Sequence, residues 1–93
     1  AFDGSLMLVA ASRTMAYRGK VAALLGDLPD AERRLAAAAA AALKPRDKAD
    51  ALNSRGVVLE ALDRRGEAAD CYDRALAAVP GHAKAQANRD ALL

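Results

Sequence analysis

Isoleucine and tryptophan are absent from the sequence, phenylalanine occurs once, tyrosine twice and valine five times. β-Branched and aromatic side chains suit a pleated surface, and their scarcity argues against a sheet. No apolar run approaches the roughly 18 residues that a membrane span needs; the longest, Leu35 to Leu43, is half that and mostly Ala. One cysteine cannot close an internal disulfide. One histidine and one cysteine form no cluster of metal ligands, and no strand precedes a glycine-rich phosphate loop. No metal, no cofactor and no catalytic residue are therefore expected. Excess charge of one sign is lacking too: 14 basic residues face 12 acidic ones. The longest basic runs are the pairs Arg33-Arg34 and Arg64-Arg65, whereas nucleic-acid binders concentrate their cations, so no nucleic-acid partner is expected. The first residues lack the basic start and small-residue cleavage site of a signal peptide. A cytoplasmic location is the expectation, with the periplasm left open because residue 1 is Ala and not Met.

What is abundant is alanine, 26 of 93 residues, followed by leucine with 13. Alanine brings little apolar area, so the core must come from helices that approach closely. A chain of this size forms one domain. Stop and start signals divide it into five helical segments. The first follows a cap at Asp3 or Ser5 and runs to about Leu25. Gly26-Asp27-Leu28-Pro29 makes a turn, and the second segment spans about Pro29 to Leu43, stopped by Pro45. Asp47 caps a third from about Lys48 to Leu62. Asp63-Arg64-Arg65-Gly66 turns into a fourth from Glu67 to Ala78, and Pro80-Gly81 precedes a fifth from about His82 to Leu92. His82 reads as an exposed turn residue, and Cys71 as a small core residue beside Tyr72.

Two glycines inside helices set a register. Arg18-Gly19 and Arg55-Gly56 are identical dipeptides 37 residues apart. Twelve residues after each glycine stands an alanine, Ala31 or Ala68; four further on a large apolar residue, Leu35 or Tyr72; and three further again Ala38 or Ala75. Small residues at matched heights let two antiparallel helices approach, and the large residue fills the space that remains. A plain helical bundle has no need for the same offsets twice. At Gly56, Leu is expected to destabilise by overpacking, while Ala is expected to be neutral or stabilising.

With these residues the chain resembles the tetratricopeptide repeat family, whose unit is a helix-turn-helix. Between Ala49 and His82, the positions Leu52, Gly56, Leu59, Ala68, Tyr72, Ala75 and Pro80 follow the family pattern. The stretch from Ser12 to Pro45 fits with Met15, Gly19, Ala22, Gly26, Ala31, Leu35 and Ala38, but its proline comes late, which predicts a longer second helix. In the segment from Ala83 to Leu93, Asp90 stands where the glycine belongs, so that helix reads as a solvated cap or a truncated third unit. The resemblance implies an all-α fold of antiparallel helix-turn-helix units, stacked as a short right-handed α-solenoid of about five helices. It divides the single domain into an extension of the first helix over 1–11, repeats over 12–48 and 49–82, and the capping helix over 83–93.

The resemblance also places the first helix of each unit along a concave groove, which here holds Arg13, Tyr17, Lys20, Asn53, Val57, Lys84 and Asn88. It implies a protein-interaction module, a scaffold or assembly adaptor that binds a peptide or a partner helix. The three cations favour an acidic partner. A chaperone-type carboxylate clamp is not expected, because of its positions only Lys84 is matched. The alternative is structural: open ends of the stack that associate with further repeats or with another copy. The composition, rich in Ala, Arg and Asp, suggests part of a longer bacterial chain from a high-GC source.

Overall fold

In the computed structural model, which describes residues 4–92 with side chains from Ala11 onward, five helices follow one another: α1 (Gly4–Leu24), α2 (Leu28–Ala41), α3 (Pro45–Ala61), α4 (Arg65–Ala78) and α5 (Ala83–Leu92). The fold is all-α, without strands among the described residues. Each helix packs on its successor, and α1 with α3 and α3 with α5 also touch. That is the neighbour pattern of a helical-repeat solenoid, with α1, α3 and α5 side by side.

The two helix reversals within the units share one geometry. Gly26 has φ 84°, and the residue 37 places on, Asp63, has φ 59°. Around Gly26, the N–H of Asp27 donates to the carbonyl of Ala22 (2.9 Å) and that of Gly26 to Ala23 (3.1 Å). Around Asp63, Arg64 donates to Leu59 (2.8 Å) and Asp63 to Glu60 (2.9 Å). Each pair satisfies the last carbonyls of a helix with a left-handed residue just beyond it. One residue suffices for the reversal, so α4 starts at Arg65, ahead of the expected Glu67. The carboxylate of Asp27 caps α2 by accepting from the N–H of Asp30 at 3.3 Å.

The junction between the units differs from the sequence expectation. Pro45 does not follow a long second helix; it opens α3, where its fixed φ suits the first helical position. Lys44 is the cap residue and Asp47 sits in the first turn, facing the positive end of the helix dipole. The second helix is not lengthened: α2 and α4 both have 14 residues. The extra residues between the units instead add a turn to the start of α3. Gly56 stands eleven positions after the first residue of α3, whereas Asp90 stands seven after that of α5.

Packing within each unit depends on the mid-helix glycine. A Cβ placed on Gly56 would stand 2.4 Å from Cε1 of Tyr72, and one on Gly19 would stand 2.8 Å from Cγ of Leu35. Each glycine therefore receives the large residue of the partner helix directly, and the expectation that Gly56 tolerates Ala is overturned. Tyr72, Leu35, Leu52 and Leu59 are the large, fully buried side chains. The hydroxyl of Tyr72 donates to the Glu60 carboxylate. Burial, and then that bond, push the Tyr72 phenol well above its ordinary range. Cys71, beside it, is buried and free, and burial raises its thiol as well. Ser12, also buried, donates across from α1 to the carbonyl of Ala38 at 2.9 Å.

Candidate functional site

Two adjoining clefts run along the face formed by α1, α3 and α5. The larger, about 380 Å³, is lined by Lys20 of α1, Arg46, Asp50, Asn53 and Ser54 of α3, His82 and Lys84 at α5, and the loop before them. The smaller, about 170 Å³, lies between α1 and α3 and includes Ser12, Arg13, Tyr17, Lys20, Asp47 and Asp50. Lys20 and Asp50 border both. Helix periodicity explains the register: Arg13, Tyr17 and Lys20 recur at four and three residues along α1, as do Arg46, Asp50 and Asn53 along α3.

The seven residues expected on the groove are placed unequally. Arg13, Tyr17 and Lys20 line the smaller cleft, and Lys20, Asn53 and Lys84 the larger. Val57 and Asn88 line neither. Asn53 is buried, and its side-chain oxygen accepts from Nδ2 of Asn88 at 2.9 Å. The two amides therefore join α3 to α5. Val57 is half-exposed on α3.

Arg46, Asp47 and His82 also line the groove, outside the seven expected residues, and each belongs to the ion-pair system of the cleft. Arg46 approaches Asp50 at 3.8 Å. Asp47 accepts from Nε of Arg13 at 3.3 Å, while its Oδ2 is buried with no hydrogen-bond partner. His82, expected to be exposed, is only 7% exposed. Its Nδ1 accepts from the N–H of Ala85 at 3.1 Å, which caps the start of α5. The proton therefore sits on Nε2, which lies 2.6 Å from Oδ1 of Asp50. The signal for Arg46 and Asp47 was the start of α3 at Pro45, which brings its extra turn onto the groove face. The signal for His82 was its position just before α5, where a side-chain acceptor is favoured.

The arrangement offers cations at spaced heights: Arg13 and Lys20 from α1, Arg46 from α3 and Lys84 from α5. Asp47 and Asp50 oppose them from the centre. Among the described residues, no group of three His, Cys, Asp or Glu side chains could hold a metal ion, and no helix is long and apolar enough to cross a membrane. Lys20, Arg46 and Lys84 present donors, and Asp47 and Asp50 acceptors, on this one polar face.

Residues 49–82 match the tetratricopeptide repeat, the unit formed by α3, apart from its first turn, α4 and the loop that follows. No curated protein and no solved structure matches the chain.

Proposed function

From a chain that carries a tetratricopeptide repeat, a non-catalytic unit that generally mediates protein–protein interaction and scaffolding, we propose an adaptor that binds an acidic peptide or helix along the groove of α1, α3 and α5. The observation that supports this reading is the convergence of Lys20, Arg46 and Lys84, from three successive first helices, on one cleft of about 380 Å³. Exposed ion pairs are each worth less than about 1 kcal/mol, so affinity depends on several contacts made together. Asp47 and Asp50 select against segments that carry a carboxylate at the groove centre, so the acids of the ligand belong beside the flanking cations. Asn53 and Ser54 offer neutral hydrogen-bonding groups between the charged ends.

Selection of peptides from a random display library on the purified chain tests the proposal. Peptides rich in Asp and Glu are expected, with binding that weakens as salt rises, because exposed charges are screened within about 10 Å at 0.1 M. The triple variant Lys20→Ala, Arg46→Ala, Lys84→Ala should lose these peptides while its melting temperature stays near that of the parent. Arg13 is left intact because Asp47, its partner, is largely buried. Normal capture by the triple variant would move the binding surface elsewhere.

A further inference from the structure

The two units place equivalent residues in different surroundings. In the second, α2 covers the outer side of α3. Val58 of α3 is 5% exposed and shares a cluster with Leu35 of α2, with Leu28 and Leu62 packed against it. Beside that cluster Glu32 of α2 accepts from Arg55 of α3, with Nη2 at 2.7 Å and Nε at 2.8 Å, and both side chains are mostly buried. The residues 37 places earlier are Arg18 for Arg55 and Val21 for Val58, both on α1, and Leu25 for Leu62, just past its end. They keep the chemistry of the covered face, cation included.

On α1 that face is open. Leu25 is 80% exposed and Tyr17 69%, and Arg18 lies at the surface. Tyr17, Arg18 and Val21 of α1, Leu25 just past its end, and Asp30 and Arg34 of α2 line a cleft of about 340 Å³. At the equivalent positions of the second unit, Cys71 for the exposed Arg34 is buried and Leu62 for Leu25 is partly buried.

We infer that the outer face of α1 is a second docking surface, and that its occupant is an amphipathic helix of a partner chain with the chemistry of α2. That chemistry is an apolar residue, a glutamate four positions on and a leucine three beyond, as in Leu28, Glu32 and Leu35. The glutamate pairs with Arg18 as Glu32 pairs with Arg55, and the two apolar residues cover Val21 and Leu25. A helix without the acid leaves the Arg18 guanidinium desolvated beside the contact, which gives the face its selectivity. α1 itself has no acidic residue among its 21 positions, so α1 of a second copy cannot supply the carboxylate. This surface meets the groove at Tyr17, which borders a cleft of each.

A labelled synthetic peptide of residues 27–43 of this chain serves as the probe, titrated into the intact protein by fluorescence anisotropy. The peptide should bind, and Arg18→Glu should weaken it by about tenfold or more, as loss of a charge-assisted pair does. The same peptide with Glu32→Arg should bind wild type poorly and recover on the Arg18→Glu protein. Circular dichroism checks that the variant remains folded. Binding indifferent to Arg18→Glu overturns the proposal, because a peptide that displaced α2 would pair with Arg55 instead. Absence of binding to wild type also overturns it. So does a dimer, seen by sedimentation, that Leu25→Glu dissolves, since the face would then belong to a second copy.

Discussion

Gly56 is the residue where volume matters most. Its helix would gain about 1 kcal/mol from Ala on propensity alone, but the new methyl would stand 2.4 Å from the ring of Tyr72. Overpacking costs about 1–3 kcal/mol, so Gly56→Ala should lower stability in denaturant titration, and Gly56→Leu more so. Gly66→Ala is the contrasting case. A Cβ there meets nothing within 4 Å, and a gain of about 0.5–1 kcal/mol is expected from propensity. Sequence showed that Gly56 is special but not why Ala is refused, because the spacing does not reveal which ring carbon points at it. At Tyr72 the sign of the pH dependence follows from its raised ionisation. The unfolded phenol ionises near pH 10, whereas the buried one bonded to Glu60 resists ionisation well above that. The neutral form is the one the fold holds, so this stability is complete below about pH 10 and is lost as pH rises further. In a Tyr17→Phe protein the phenolate absorbance of Tyr72 should appear together with loss of the helical signal. Ionisation without unfolding would contradict the buried bond.

For the helices, the informative positions are the ends. Asp63 holds a left-handed conformation that costs a residue with a Cβ roughly 1–2 kcal/mol. Gly there relieves this but adds freedom to the unfolded chain worth about 0.4–1 kcal/mol. Asp63→Gly should therefore raise stability by about 0.5 kcal/mol, and Gly26→Ala should lower it, both read from thermal melts. The number, order and approximate extent of the helices were legible because glycine, proline and alanine-rich stretches mark them. The junction at Pro45 was not. Proline ends one helix and begins the next by the same constraint, and only the packing of α3 on α1 and α2 decides between them. That displacement is also why part of the groove chemistry was missed: Asp47 was expected to cap a helix beginning at Lys48, with Arg46 ahead of it, whereas both belong to the first turn of α3. α5 has 10 residues, fewer than an isolated helix needs in water. It depends on the His82 cap, the Asn53–Asn88 bond and the Arg89–Asp73 pair. Amide exchange should be faster over residues 83–92 than over 57–61; equal protection would mean that something else covers α5.

Across the molecule, Cα extents of 48 × 30 × 16 Å describe a thin slab in which every helix leans on its neighbours in sequence. Stability in such a stack is close to a sum of local and nearest-neighbour terms, so loss of an end helix need not unfold the rest. Internal repetition was the part of this architecture that the sequence displayed most openly, since Arg18-Gly19 and Arg55-Gly56 mark both units. The exposed side of α1 was not displayed, because Val21 and Leu25 look like core residues by their apolar character, whereas Leu25 is 80% exposed. The buried thiol of Cys71 gives this stack a clock of its own. It lies between α3 and α4, in the cluster with Leu59, Ala68 and Tyr72. A disulfide reagent can reach it only when those two helices part, and only its thiolate reacts. The labelling rate in native buffer thus times the opening of the central repeat, separately from fraying at α5, without a dye or an engineered probe. If the two openings are independent, Asn88→Ala should speed exchange in α5 and leave the thiol rate unchanged.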